Sequence, residues 1–321
     1  MGIDVRFYYA SLVAVLIFFL MGLLIGIGLS RQPAVEKLAA HIEKQLRQYR
    51  EEVNKQLRAR EQLIRSLQSE LANMSQRMTW HEQFLRAAAP MLLSGVLQHR
   101  NIAVVVTAPE SDIAFLNDLK LMLSAADGTV RSVTRIHRVA FTMSEDAIAR
   151  LASKLSVQPA AGVHDLRSAY RKALIAKLAQ LIRFGDQNDQ LRKYVHGGWT
   201  TISGDYSHPV GAVIFISAVK ALRDQSEFEA IDIELVRALK VLGAKVVVCE
   251  TSGVEKSIVP VCRHVGVPTV DNAESAIGQI CIVYALAGQE GNYGWKETAR
   301  TRFPDLRLGN RAVSAQAKPA R

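Results

Sequence analysis

Phe7–Ser30 reads FYYASLVAVLIFFLMGLLIGIGLS, without one charged side chain, and the stretch from Arg31 to Trp80 that follows is densely charged and free of glycine. The first segment exceeds the ~20 apolar residues that cross a bilayer core. A cleavable signal peptide has a shorter apolar region and a small-x-small cleavage site. Gly28-Leu29-Ser30-Arg31-Gln32-Pro33 is a poor context for cleavage. The reading is an uncleaved transmembrane helix over residues 7–30 behind a short tail, residues 1–6. Phe7, Tyr8 and Tyr9 stand at its start, where aromatic rings favour the headgroup layer. Gly22 and Gly26 lie four apart on one face, with Gly28 close by. Such a small-xxx-small pattern lets two helices approach closely in lipid. Glycine is also common in membrane helices generally, so the pattern gains weight only from the segment after it.

Flanking charge leaves the orientation open. Arg6 stands alone before the helix, whereas Arg31, Lys37, Lys44 and Arg47 follow soon after it. The positive-inside rule on that count keeps the C-terminal part in the cytoplasm, yet long domains translocate largely regardless of such charges.

Residues 31–90 read as a coiled-coil stalk. Val35, Leu38, Ile42, Leu46, Tyr49, Val53 and Leu57 recur at gaps of 3, 4, 4, 3, 4 and 4. That is an eleven-residue repeat, suited to a straight or slightly right-handed supercoil. From Leu57, with Arg60 in one core slot, the positions Ile64, Leu67, Leu71, Met74 and Met78 continue as heptads, which wind left-handed. At ~1.5 Å per residue this makes a rod about 65–70 Å long. A lone helix of this polarity is marginal in water, so the stripe needs a partner. A parallel homodimer is the simplest, because the anchors point both chains the same way. Packing against the chain's own globular part is the rival.

Met74, Met78 and His81 share one helix face at spacings of 4 and 3. Thioether and imidazole groups suit copper, Cu(I) above all. The same two methionines equally serve as core positions of the stalk, with His81 at its polar end.

Beyond Pro90 and Gly95, which should break the helix, the pattern changes. Ile102–Thr107, Val210–Ser217 and Lys245–Glu250 are buried-strand runs, with a short extended Thr269-Val270 later. Thr129–Phe141 reads as extended. Ser111–Ala126, Ser144–Leu155, His164–Phe184, Asp189–Tyr194, Glu227–Leu242, Ser257–His264 and Glu274–Ala287 read as helices. Apolar, β-branched runs alternating with amphipathic helices predict an α/β domain over residues 91–304. Its sheet is mainly parallel, with helices on both faces. Residues 305–321 form a basic, polar tail expected to be disordered.

Motifs for enzymatic chemistry are missing. No phosphate loop, G-x-G-x-x-G turn, G-x-S-x-G elbow or H-E-x-x-H helix occurs, and a non-enzyme is expected. Strand ends carry Thr107, Ser217 and Glu250-Thr251-Ser252, at the edge where such sheets bind ligands. Glu250 is the strongest polar candidate there, against a plain loop-capping role. Cys249, Cys262 and Cys281 have no C-x-x-C spacing, and the odd count gives no disulfide framework. They read as small buried hydrophobes. The eight histidines show no metal-ligand spacing. A net charge of +10 is spread through stalk, domain and tail without a basic patch interleaved with aromatics. An anionic membrane surface suits that distribution better than nucleic acid.

Asp271 and Asn272 follow Pro268-Thr-Val and read as a strand-to-helix turn, with Asp271 capping a helix that opens near Ala273. Gly291, Tyr293 and Gly294 read as a tight surface loop bearing one aromatic. That loop serves either a partner or ligand, or simply a turn that needs glycine at positive φ.

Several of these pieces occur together in one known family. Glu250-Thr-Ser-Gly, Ser257, Gly266-Val-Pro-Thr-Val-Asp-Asn272, Gly278-Gln279, Gly288-Gln-Glu-Gly-Asn-Tyr-Gly294 and Lys296 follow in order behind an anchor and a stalk. The chain thereby resembles the MctB family, named for the mycobacterial copper transport protein and including the corynebacterial cell-separation protein SteB. The resemblance implies an anchored envelope protein with its globular part outside the cytoplasm. It also implies a link to copper homeostasis or to cell separation through an envelope or division partner. It carries over no catalytic residue. The pore-like outer-membrane barrel sometimes attached to the family name conflicts with this chain. One apolar helix does not line a pore, and alternating lipid-facing strands are not evident.

Overall fold

Ala212–Ile216 (AVIFI) and Lys245–Cys249 (KVVVC) are apolar almost throughout and buried along almost their whole length. Strands of that kind need cover on both faces, the condition of a parallel sheet inside an α/β domain. The computed structural model describes residues 5–107, 113–137, 140, 143–159, 165–217, 229–254 and 257–306. Its sheet has seven strands: β1 (Asn101–Val106), β2 (Thr129–Ile136), β3 (Thr200–Gly204), β4 (Ala212–Ile216), β5 (Lys245–Cys249), β6 (Thr269–Val270) and β7 (Asn292–Tyr293). The strand order is β3-β2-β1-β4-β5-β6-β7. All neighbours run parallel except β2 and β3.

The helices are α1 (Val5–Leu93), α2 (Leu116–Ala125), α3 (Glu145–Lys154), α4 (Leu166–Phe184), α5 (Gln190–His196), α6 (Glu234–Val241), α7 (Val259–Val265) and α8 (Ala276–Ala287). A five-residue π-helix, Glu229–Ile233, leads into α6. Alternation along β1 sends Ala103 and Val105 to one core with Phe215, Leu174, Leu178 and Leu239. Ile102, Val104 and Val106 go to the other, with Leu119, Ile214, Cys281 and Tyr284. The mixed α/β class and the mainly parallel sheet stand as expected.

Helix α1 is continuous for 89 residues. Its segment Arg6–Gly28 is long and apolar enough to cross a membrane. The chain divides into two compact units, Met1–Arg77 and Met78–Arg321. In the first, the stripe of the stalk lies in solvent: Leu38 is 60% exposed and Leu71 66%. In the second, the last turns of α1 are part of the domain. Ala89 and Leu93 are buried. The Glu82 carboxylate accepts the Ala276 N–H at 2.9 Å, an anion at the amino end of α8. Arg86 pairs with Asp118 of α2 at 3.1 Å, and the Tyr284 hydroxyl donates to the Leu92 carbonyl at 3.1 Å.

Several boundaries differ from the sequence reading, each for a physical reason. Pro90 does not end α1, because a proline in the last turn removes only one helical hydrogen bond while burial of Leu93 holds the turn in place. The helix stops before Gly95, whose φ is +78°. Asp271 does not cap α8. Ser275 does, accepting the Gly278 N–H at 3.0 Å. Of the extended reading over 129–141, residues 129–136 form β2, and 138, 139 and 141 lie outside the described residues. Of the helix read over 227–242, residues 229–241 are a π turn followed by α6, and 227 and 228 lie outside the described residues. Strand β3, TTISG, is a polar antiparallel edge. Strand β7 replaces the surface loop read at 291–294, and Tyr293 is buried in it. The proposed Ser111-Asp112 cap, the start of the helix at His164 and the tail over 307–321 lie outside the described residues.

Phe215 sits in the central strand with no exposed surface. Phe215→Ala is expected to cost about 3–5 kcal/mol of stability, read as a lower midpoint in urea unfolding of the full chain.

Candidate functional site

In a parallel sheet the connections leave the strands on alternate sides, and a crevice opens at the carboxyl edge where that order reverses. Here the reversal falls between β1 and β4, since β2 and β3 lie to one side and β5 to β7 to the other. Thr107 follows β1 and Ser217 follows β4. Their backbones remain in register: the Thr107 N–H donates to the Ile216 carbonyl at 3.0 Å and the Ser217 N–H to that of Cys249 at 2.9 Å.

The π-helix sets Asp232 against both. The Thr107 hydroxyl donates to Asp232 Oδ2 at 2.9 Å and the Ser217 hydroxyl to the same oxygen at 3.1 Å. Asp232 Oδ1 is buried and has no hydrogen-bond partner among the described residues. Burial pushes the Asp232 carboxyl up to about 7, against the lowering effect of the two hydroxyls. Burial, then the Asp232 charge, also pushes the Cys262 thiol up to about 12.

The second half of the edge is built by the residues quoted for the family resemblance. Glu250, just after β5, is fully buried. Its Oε1 meets Lys296 Nζ at 2.8 Å and its Oε2 accepts the Ile258 N–H at 2.9 Å. Lys296 also donates to the carbonyls of Thr251 at 3.0 Å and Val254 at 3.4 Å. Asp271 accepts the N–H groups of Trp295 and Lys296 at 2.9 and 3.0 Å. Gly294, at φ +146°, leaves no room for a side chain, because the Asp271 carboxylate fills the place a Cβ would take. Asn272 donates to the Ser275 hydroxyl at 3.0 Å, beside the cap of α8.

Glu250, Asp271, Asn272, Tyr293 and Gly294 are thus brought to one edge across β5, β6 and β7, where Glu250 and Asp271 form a hydrogen-bonded buckle with Lys296. The side chains of Glu250, Asp271, Asn272 and Tyr293 are buried. The aromatic that faces solvent is Trp295, 58% exposed, with its carbonyl held by Arg302 at 2.8 Å.

Met74 and Met78 are exposed on α1, at 54% and 70%. His81 is exposed as well, its ring edge-on to Trp80 at 5.5 Å. Gly22 and Gly26 have open space around them. Cys249, Cys262 and Cys281 are free and buried. Among the described residues, no group of three or more His, Cys, Asp and Glu side chains is placed to hold a metal ion.

Asp232, Lys296 as the partner of Glu250, and Trp295 escaped sequence reasoning. A signal existed for the first: Asp232 interrupts the apolar Ile231-Asp232-Ile233, where both neighbours are core residues. For Lys296 the only sign was its position in the motif after Gly294.

The fold and this edge define an α/β protein with a parallel sheet, carried behind a helix fit to cross a membrane. The chain belongs to the family described as copper transport outer membrane protein, MctB, whose profile matches residues 2–304. No curated protein matches it.

Two stability effects follow. Lys296→Met leaves the Glu250 carboxylate buried without its cation and should cost about 3–5 kcal/mol, with partial recovery in the Glu250→Gln/Lys296→Met double variant. For Asp232 the folded state holds its proton to about 7, whereas the ordinary carboxyl releases it at 3.8. Stability therefore falls as pH rises from about 4 to about 7, by about 4 kcal/mol from this group, and Asp232→Asn flattens that slope in urea titrations.

Proposed function

We propose that the protein is a single-pass, envelope-anchored parallel homodimer that serves copper transport, with its α/β domain outside the cytoplasm presented to an envelope protein partner. The observation that carries this reading is the apolar stripe of α1. Leu38, Leu46, Leu57, Leu67 and Leu71 stand exposed on a helix that continues from an apolar membrane-length segment. A second copy held parallel by its own anchor covers that stripe. Gly22 and Gly26 allow close approach of the two anchors in lipid. The net charge of +10 favours an anionic membrane surface.

Copper is cargo in this reading and not a resident cofactor. Met74, Met78 and His81 are exposed thioether and imidazole groups, the soft and borderline donors that Cu(I) prefers. At the domain, Trp295 is the exposed aromatic anchored by the Glu250–Asp271–Lys296 buckle, and aromatic anchors of that kind carry much of the energy of protein interfaces.

A second reading is a non-metal scaffold in cell separation. It is favoured by the burial of all three cysteines, which removes the strongest soft ligands from the surface.

Deletion and complementation separate the two. Loss of the chain should lower copper tolerance, and the wild-type chain should restore it. The Leu46→Lys/Leu57→Lys and Met74→Leu/Met78→Leu/His81→Ala variants should not. Normal copper tolerance together with unseparated cells would replace the first reading by the second. A phosphatase fused to the C-terminus is expected to be active, and an inactive one would place the domain in the cytoplasm.

A further inference from the structure

The carboxyl ends of β1 and β4 meet a polar cluster that the family resemblance does not use. Three independent features meet there. The first is position, at the reversal of strand order, where open α/β sheets receive ligands. The second is the π-helix Glu229–Ile233, a rare form that is frequent at functional sites. The third is Asp232 Oδ1, a buried carboxylate oxygen left without a partner among the described residues while Oδ2 receives two hydroxyl donors. Most buried polar atoms are paired, so an unpaired carboxylate oxygen calls for an explanation such as a bound water, an ion or a functional role.

We propose that this cluster is a binding site for a hydroxylated small molecule, with a vicinal diol bound between Asp232 Oδ1 and the Thr107 hydroxyl. The donor inventory leads to that class. Thr107 and Ser217 spend their protons on Oδ2, so each offers only lone pairs to a ligand. Asp232 Oδ1 accepts a hydrogen bond when ionised and donates one when protonated, and its carboxyl sits near 7. A hydroxyl serves both states, whereas an ammonium serves only the ionised one and a carboxylate only the protonated one. The second hydroxyl of a diol donates to Thr107, which is half-buried and connects the cluster to the surface. A soft metal fits poorly, because every group here is a hard oxygen. Furanoses and pyranoses both carry such a free diol, and the experiment distinguishes them.

The test uses the full chain in detergent micelles, followed by thermal unfolding against D-ribose, adenosine and D-glucose, with methylammonium chloride and sodium acetate as controls. A saturable gain in midpoint is expected with at least one diol in the millimolar range, and its apparent Kd should rise roughly tenfold in Thr107→Val and in Asp232→Asn. Response to adenosine, whose sugar is locked as a furanose, assigns a furanose diol, and response to glucose without adenosine a pyranose. Absence of a saturable gain from all three diols up to about 100 mM overturns the proposal. So does a gain that survives unchanged in Thr107→Val, or one produced by methylammonium or acetate alone. The assay is independent of copper tolerance and dimer formation, so its failure leaves the proposed function standing.

Discussion

An apolar stripe on a helix surrounded by water has to be covered, and this requirement links the two units of the chain. A helix with Leu38, Ile42, Leu46, Val53 and Leu57 along one side and charges elsewhere has little stability of its own. Where α1 enters the globular unit, the domain supplies the cover: Ala89 and Leu93 are buried, and Glu82 accepts an N–H at the amino end of α8. In the unit Met1–Arg77 the described stripe positions Leu38, Ile42, Leu46, Val53 and Leu57 are exposed. The proposed parallel pairing answers that need, and the anchor makes parallel the natural sense because both chains leave the membrane in the same direction.

The domain applies a related rule to polar groups. Glu250, Asp271 and Lys296 are among the residues by which the chain resembles its family, and all three are engaged in holding the ends of β5, β6 and β7 together at one edge. A carboxylate as buried as Glu250 is tolerable only with its cation and its backbone donor both in place. Gly294 belongs to the same unit, since any side chain would displace Asp271. A recognisable motif of this kind need not be a catalytic or metal motif; here its geometry is that of a clasp that fixes Trp295 at the surface. Asp232 differs from the carboxylates of Glu250 and Asp271 because one of its oxygens has no partner among the described residues.

Much of the fold was legible in the sequence. Strands β1, β4 and β5 are buried on both faces, so their uninterrupted apolar runs were readable, and capped amphipathic helices such as α3 declared both ends. Strand β3 was not readable, because TTISG is polar and its pairing with β2 is fixed by tertiary contact. Strand β7 is two residues long, and its glycine-rich flanks imitate a free loop. Tyr293 was therefore read at the surface when it is in the core. Of the candidate site, Glu250 and Asp271 were legible as polar groups at strand ends. Their partners were not, since Lys296 reaches Glu250 across 46 positions of sequence. Asp232 was hidden for the same reason: its hydroxyl partners lie just past the ends of β1 and β4.

The account stands on the pairing of the stalk. The most direct measurement is electron–electron distance spectroscopy on the full chain in lipid vesicles, with a single spin label placed at Leu57 and, separately, at Arg58 on the adjoining face. Parallel pairing predicts one narrow distance for each site. The distance should be shorter for Leu57, on the order of the 8–10 Å between packed helix axes plus the label arms, and it should persist on dilution into excess lipid. A signal with no dipolar component at either site, or one that vanishes on dilution, would show a stalk that stands alone and would contradict the account.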